Sequence, residues 1–450
     1  MNDGEFVGTD FNPSQVAIAK LYGDRENLTL YNDSFSQLLE RFEREKPQFD
    51  YIVLHGIFSW VSQENRKIIL EIISRFLKVG GVVYNSYNCM PGWSPKIPSR
   101  EILLLYKSLY ATATMDTDGL VKGAIGFFEE FLSTMPNYAE ESPQNKKMLA
   151  DLKTRDTSYI PHEYLNQDWD CFYFYKVAQM LEGAKCTYAT SGNYLEHFDM
   201  WNLKPEAIAM LEKIQHRIFR EQLKDYCINR QFRKDIYIKG ARKITQREII
   251  ERICNTYFTL IAPISEFKEK LGCPLGELNL HKDLYIKVLK FLEKDDYREK
   301  SAKEIMEACD MEISAALQVL CVLGTQRLVA PTQKASETLK CRANAYNMRV
   351  LARQEIGNNI FSYLAVAKIA SGIVVSNVEQ LIMSAYFKGA RKESELVRFV
   401  MAIFKDTGRN FLKDGKMLES EAENKKAIAE VVKEFLGKLP LYKALEILDS

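Results

Sequence analysis

The chain has 450 residues, a net charge of +1, 46% hydrophobic and 27% charged residues. That balance excludes long disordered tracts and leaves no global field for nucleic acid, anionic membrane or acidic substrates. The length allows one large core or two to four smaller ones. Nine cysteines are scattered at positions 89, 171, 186, 227, 254, 273, 309, 321 and 341, without a C-x-x-C pair. No charged n-region followed by an apolar h-region opens the sequence. An odd cysteine count without an export signal points to reduced thiols and a cytoplasmic protein. The longest apolar-looking segment, Ile360 to Val375, contains Lys368 and is too short to span a bilayer, so no membrane insertion is expected.

Residues 1 to 90 alternate strand and helix. Phe6 to Asp10 reads as a short strand ending in an acid. Asn12 then serves as N-cap, with Pro13 at the first helical position where its missing N–H costs nothing, and a helix runs from Ser14 to Tyr22. Leu28 to Tyr31 is the next strand, followed by Asn32-Asp33-Ser34-Phe35 and a helix from Ser36 to about Glu45. Tyr51 to Leu54 is a wholly apolar third strand. The helix Gln63 to Phe76 carries Ile68, Ile69, Ile72, Ile73 and Phe76 on one stripe, a 3.6-residue period. Gly80-Gly81 is read as its stop, and Val82 to Tyr87 as a fourth strand. Strands alternating with helices predict a parallel sheet covered on both faces.

Residues 91–163 turn helical and loop-rich, with Pro-bearing interruptions at Pro91 to Pro98 and Met135 to Pro143. The segment 164–203, with a helix Phe174 to Leu181 and a strand, reads as the sheet domain resuming after a helical insertion. Residues 204–280 form a less legible middle region. Residues 281–335 show three helices (one with Tyr285, Val288, Leu289 and Leu292, then Ala302 to Cys309 and Ile313 to Leu323) and a strand Leu328 to Ala330, the rhythm of a winged helix. Its third helix has no Lys or Arg from Ile313 to Leu323, so it cannot supply phosphate contacts, and nucleic acid is not an expected partner. Residues 336–450 are mostly helical, and Val431, Val432, Phe435 and Leu436 mark a final amphipathic helix. The pentapeptide Lys-Gly-Ala-Arg-Lys occurs at 239–243 and 388–392, too short to establish a repeat.

The stretches FVGTDFNPSQV, LTLYNDSF, FDYIVLHGIFSWVSQENR and LKVGGVVYNSYNCMPGW, with IPHEYLNQDWDCFYFYKVAQML downstream, resemble successive motifs of class I methyltransferases that use S-adenosylmethionine. The variant resembled carries a methyltransferase regulatory region and includes rickettsial lysine methyltransferases that modify an outer-membrane protein. The resemblance is dense over 4–100 and 158–195 and thinner beyond. It implies a Rossmann-like sheet and S-adenosylmethionine as cofactor. It also implies a protein substrate, an outer-membrane protein among the candidates, in-line transfer to protein lysine, a bacterial source and a homodimer to which the 91–163 insertion contributes. Position by position, it implies Asp10, with Phe11 beside it, on the ribose hydroxyls. Asp33 would meet the adenine amine, Ser34 and Phe35 the ring, and His55 and Gly56 the methionine end. Tyr87, Asn88 and Trp93 would approach the transferable methyl. Val79 stands where the family has proline.

The family's first motif, a strand and a glycine-rich turn, does not precede Gly4, and no spacing among Gly4, Gly8, Gly23 and Gly56 gives G-x-G-x-x-G. In the family that strand lies between the strands ending at Asp10 and Leu54. Without it these two either pair directly or leave a ladder open, at roughly 1–3 kcal/mol per buried orphan group. Two expectations follow, an enzyme whose sequence starts further upstream, or a catalytically dead scaffold that binds or modulates a partner protein.

Methyl transfer from a sulfonium makes little acid–base demand, so positioning and exclusion of water dominate. A lysine nucleophile must also shed its proton, which desolvation in an aromatic channel favours. Phe58, Trp60, Tyr87, Trp93, Tyr164, Trp169, Phe172, Tyr173 and Phe174 supply aromatic side chains. The phenylalanines read mainly as core, whereas Trp60, Tyr87 and Trp93 follow strands, where open α/β sheets bind ligands. His162-Glu163 begins like H-E-x-x-H, but position 166 is asparagine, so no metal is expected; His162, Glu163 and Tyr164 remain candidates for the substrate channel. Cys171 and Cys186 lack a legible histidine partner for nucleophilic catalysis. The catalytic candidates are therefore Tyr87, Asn88, Trp93, Trp60, His162 and Tyr164.

Overall fold

The computed structural model describes residues 4–23, 27–112, 114–134, 136–141, 144–155, 159–357, 361–413 and 416–448. Met135 and Pro143, which bound one Pro-bearing segment, and Ile360 lie outside them. The chain is mixed α/β and divides into two compact units, residues 1–34, 244–271 and 278–450, and residues 35–243 with 272–277.

In the first unit, β1 (Phe6–Thr9) and β2 (Leu28–Tyr31) form a parallel pair, Phe6 opposite Leu28 through Thr9 opposite Tyr31. Helix α1 (Pro13–Gly23) lies between them in sequence, and Asn12 Oδ1 accepts from Ser14 N at 3.0 Å as the N-cap. Further on, strand Tyr257–Leu260 is the centre of a three-stranded antiparallel sheet, flanked by Lys300–Ser301 and Val329–Pro331. Helices Lys282–Tyr297, Ala302–Cys309 and Ile313–Thr325 accompany it. Ser301 and Glu304 form a capping box, so the chain turns sharply from strand into helix. The sheet differs from a winged-helix hairpin, because the strand after the third helix pairs with one that precedes the first. Helix Ile313–Thr325 buries Val319, Leu320, Val322 and Leu323, as its apolar sequence demands. The apolar segment near 360–375 is a hairpin, Tyr363–Val366 with Ser371–Val374, and no described helix is long and apolar enough to cross a membrane. The last helix, Glu421–Ala444, buries Val432 and Phe435.

In the second unit, α2 (Phe35–Glu45), β3 (Phe49–Leu54), α3 (Gln63–Phe76) and β4 (Leu77–Asn88) follow one another. The insertion contributes α4 (Ile97–Tyr110) and α5 (Thr117–Thr134), and β5 (Cys186–Ser191) and β6 (Phe232–Lys239) complete a sheet of order β3-β4-β6-β5. β3 and β4 are parallel, and β6 runs antiparallel between β4 and β5. The stripe on α3 buries Ile69, Ile72, Ile73 and Phe76, and Ser62 Oγ caps it by accepting from Asn65 N at 3.2 Å. Gly80-Gly81 does not end that helix. It lies inside β4, where the pairing with β3 shifts between Phe49 and Tyr51, and Gly80 takes φ +83°. Such a bulge needs a residue tolerant of positive φ, which is the glycine's use here.

Of the two expected arrangements, the direct pair of β1 with β3 is not formed among the described residues. Among the described residues β1 bonds β2, β3 bonds β4, and β3 ends its sheet with Tyr51 and Val53 55% and 64% exposed. One core lies under the sheet (Phe58, Ile73, Val83, Tyr87, Phe174, Tyr237) and another inside the helical insertion (Trp93, Leu103, Phe128, Met148, Tyr164, Trp169).

Candidate functional site

Most of the candidate residues lie near carboxyl ends of parallel strands, where open α/β sheets bind ligands, while His162 and Tyr164 lie on the helix Ile160–Tyr164. Those of the β1–β2 pair are considered first. Asp10 follows β1, exposed, and its Oδ1 accepts from Asn12 N at 2.8 Å. Asn32 donates to Asp10 O at 2.9 Å, and Thr9 Oγ1 donates to Asp33 O at 2.8 Å. These bonds bring the Asp10 and Asp33 loops side by side. Phe11 is exposed, while Asp33 and Ser34 are half-buried. Phe35, the first residue of α2, packs against the core of the second unit.

At the carboxyl end of β3, His55 and Gly56 are exposed. His55 Nδ1 lies 3.3 Å from Tyr84 Oη, with the rings stacked, and Gly56 N donates to Ser86 Oγ at 2.9 Å. Gly56 has φ +65°, and a Cβ there would meet nothing within 4 Å, so the loop leaves open space. The loop then turns inward. Ser59 Oγ accepts from Asn88 N at 2.9 Å, Ser59 O accepts from Asp170 N at 2.8 Å, and Arg66 bonds Phe58 O, Val61 O and Asp170. A buried guanidinium holding two carbonyls and a carboxylate fixes a loop more firmly than apolar contact alone.

The structure gathers Trp60, Asn88, Trp93 and Tyr164 around Glu163, a residue absent from the catalytic candidates. Glu163 is 2% exposed, on the short helix Ile160–Tyr164. Its Oε1 accepts from Asn88 Nδ2 at 2.5 Å and from Trp169 Nε1 at 3.2 Å, and its Oε2 accepts from Trp60 Nε1 at 3.2 Å. Burial pushes the Glu163 carboxyl above its ordinary range, while the bonds from Trp169, Asn88 and Trp60 oppose that shift. Arg100 donates to Glu163 O at 3.0 Å and covers the Trp169 ring at 4.2 Å. Trp93 meets Trp169 edge to face at 4.8 Å and Tyr164 at 5.9 Å, and Lys96 sits over its ring at 5.1 Å. Burial pushes the Tyr164 phenol up to about 12. Trp93 and Tyr164 are thus packed walls, whereas Trp60 stays half-exposed.

Two candidates lie apart from this group. Tyr87 is 0% exposed, and its hydroxyl donates to Asp235 Oδ2 at 2.6 Å beneath the sheet. Side chains alternate along a strand, so Tyr87 turns to the core face when Asn88 turns to Glu163. His162 is exposed, on the helix that buries its neighbour Glu163. The sequence signal for Glu163 is slight, an acid between a histidine and a tyrosine just after proline. The better signal is β4 itself, which passes from Val82-Val83 to the polar run Asn85-Ser86-Tyr87-Asn88.

Comparison with known proteins bears on both regions. A family described as "Methyltransferase domain" matches residues 1–83, and one described as "Predicted methyltransferase regulatory domain" matches residues 156–239. The chain is 31% identical over 451 residues to the uncharacterized protein sll1526 of Synechocystis sp., covering 98% of this chain and 87% of that protein. It is 26% identical over 249 residues to the uncharacterized protein RP789 of Rickettsia prowazekii, covering 54% of this chain and 43% of the other. Among solved structures, PKMT2 from Rickettsia typhi in complex with AdoHcy superposes with TM-score 0.66 at 17% identity, over 99% of this chain and 89% of that one. A second structure of PKMT2 gives TM-score 0.62 at 18% identity, over 97% and 88%. At such identities the superposition speaks for the fold alone. Taken with the two matched regions and the near full-length relative, it shows that the chain belongs to the methyltransferase family in which a methyltransferase domain is joined to a predicted methyltransferase regulatory domain, a family it shares with sll1526.

Proposed function

We propose that the chain is an S-adenosylmethionine-dependent methyltransferase acting on lysine side chains of a protein, an outer-membrane protein being one candidate. The observation that carries this reading is the Glu163 cluster beside the carboxyl ends of β3 and β4, where an aromatic wall and an oriented amide meet an open loop. The likeness to PKMT2 in complex with AdoHcy supports the choice of cofactor. The residues present suit that group. Asp10 keeps its second carboxylate oxygen without a partner among the described residues, which suits a ribose hydroxyl. Asp33 and Ser34, on the loop beside Asp10, suit the adenine amine and ring. When bound, the cofactor would supply a methyl group on a sulfonium to an amine that has already given its ammonium proton to solvent, the N–C bond forming as the C–S bond breaks with its electron pair on sulfur and the positive charge passing to nitrogen. The chain's own part is to orient the amine and strip its water, which Asn88 at the end of β4 and Trp60 on its fixed loop do.

The test is transfer of labelled methyl from S-adenosylmethionine to purified bacterial proteins, with methyl-lysine identified in digests. Absence of both transfer and AdoHcy binding would overturn the reading. A second reading, a scaffold without transfer, is favoured by the open β3 edge, because parallel strands are ordinarily paired and covered on both sides. It predicts a melting temperature that stays fixed at saturating cofactor, since any ligand of the native state raises it.

We also propose a homodimer through the insertion, working in the bacterial cytoplasm. Leu105, Leu109 and Tyr110 on α4 and Phe127 on α5 are exposed together, and Tyr106 stacks on Tyr110. An apolar patch of this kind marks an interaction surface. Leu109→Glu is expected to halve the mass measured by light scattering, and an unchanged mass would place the interface elsewhere or deny it. Nine cysteines without a disulfide suit the reducing compartment.

A further inference from the structure

We infer that Glu163 is a positioning residue that sets which end of the Asn88 amide faces the substrate, leaving the carbonyl oxygen to accept an N–H of the amine to be methylated. The inference rests on the methyltransferase reading above and narrows its acceptor to a nitrogen that carries hydrogen.

Asn88 is anchored through its backbone. Its N–H donates to Ser59 Oγ at 2.9 Å, and its carbonyl accepts from Phe172 N at 3.0 Å. Rotation of the side-chain amide is the freedom that remains. Amide oxygen and nitrogen are nearly the same size, so an unpaired asparagine presents either one. Glu163 removes that ambiguity, because a carboxylate accepts and does not donate, and only the Asn88 NH₂ can face it at 2.5 Å. Oδ1 is then turned away. It accepts nothing from the described residues, and it is not sealed, in contrast to Asn85, whose two amide atoms are buried without partners.

Glu163 itself is poorly placed to remove a proton. Oε1 already takes two donors and Oε2 one, from Asn88, Trp169 and Trp60. The third of these bonds holds the Trp60 indole, whose loop reaches the open space at Gly56. An outward carbonyl suits an amine well, since it takes an N–H and thereby aims the nitrogen lone pair elsewhere. It repels a carboxylate or phosphate oxygen, which offers only lone pairs. The arrangement therefore selects an amine over an oxyanion.

Exchange of the Glu163 carboxylate for an amide tests this. Glu163→Gln can donate to Asn88 Oδ1 and let the amide reverse. We expect kcat to fall about 10²-fold, the size of effect that follows misplacement of an aligned group, with the KM for cofactor unchanged. Adding Asn88→Asp to Glu163→Gln restores an outward acceptor beside an inward pair, and most of kcat should return. A readout independent of turnover is hydrogen exchange of the Asn88 side-chain ¹⁵NH₂ in the protein without cofactor. One of its protons should be protected in the natural chain and unprotected in Glu163→Gln, with tryptophan fluorescence and near-UV dichroism confirming that the variant is folded. Natural kcat in Glu163→Gln, a double variant no faster than the single one, or an unprotected amide in the natural chain would each overturn the inference. A protected Asn88 amide in a chain that neither binds AdoHcy nor transfers methyl would instead overturn the methyltransferase reading and leave the Glu163 bond intact.

Discussion

Asp235→Asn is expected to lower the unfolding free energy by about 3–5 kcal/mol, the usual cost of removing one partner from a buried ion pair. The measurement is a shift of the urea midpoint at constant slope. Arg233 is 2% exposed and lies over the Phe174 ring at 4.1 Å, so water cannot solvate it when its partner is lost. Its Nε faces both oxygens of Asp235 at 3.0 and 2.9 Å, and its Nη1 bonds Asp225 Oδ1 at 2.6 Å. Burial pushes the Asp225 carboxyl up to about 6 from an ordinary 3.8, against the pull of Arg233 and Arg230. The folded chain thus holds more protons than the unfolded one between those two values, and the contribution of Asp225 to stability falls as pH rises through that window. At pH below about 6 Asp225 is neutral in the folded state, so it no longer offsets the Arg233 charge when Asp235 is replaced. The cost of Asp235→Asn should therefore grow as the pH is lowered from neutral toward 5. A loss below about 1 kcal/mol, typical of exposed pairs, or a loss that shrinks in acid, would refute this account.

Asp10→Ala should weaken S-adenosylmethionine and AdoHcy about 10- to 100-fold, since a hydrogen bond to a charged group contributes about 1.5–3 kcal/mol. Calorimetric titration reads it directly. The melting temperature of the unliganded protein should barely move, because Asp10 is exposed and its carboxylate's one bond among the described residues is to Asn12 N, at 2.8 Å. That contrast separates a ligand-binding acid from a structural one. Unchanged affinity would take Asp10 out of the cofactor site, and a large drop in melting temperature would make it a helix-entry residue.

Much of the β/α rhythm was legible because its signals are local. The isoleucine stripe of α3 and the Asn12-Pro13 entry of α1 need only their own neighbours to be read. Gly80-Gly81 misled because a glycine pair after a helix resembles a stop, and only the β3 pairing reveals a bulge. β6 was hidden for two reasons. Its alternation buries Arg233 and Asp235, the residue types a sequence reader assigns to a surface, and its place between β4 and β5 is set by partners far away in the chain. The same rule of two separates neighbouring candidates. Tyr87 and Asn88 look equivalent in sequence, but alternation sends one to the core and the other to Glu163. Glu163 stayed faint because its meaning comes from donors at positions 60, 88 and 169, three separate stretches of chain.

The unpaired side of β3 bears on how the protein behaves in the test tube. Among the described residues β3 has a neighbouring strand on one side alone, and an edge of that kind, with Tyr51 and Val53 standing out, is a template on which other strands can grow. Asp50 and Lys78, paired at 2.9 Å near the start of the strand, are the charges beside it that discourage such growth. Salt that screens the pair removes part of that guard. Solubility, more than stability, is then the property by which this edge makes itself felt, and Val53→Lys is the change that should improve it.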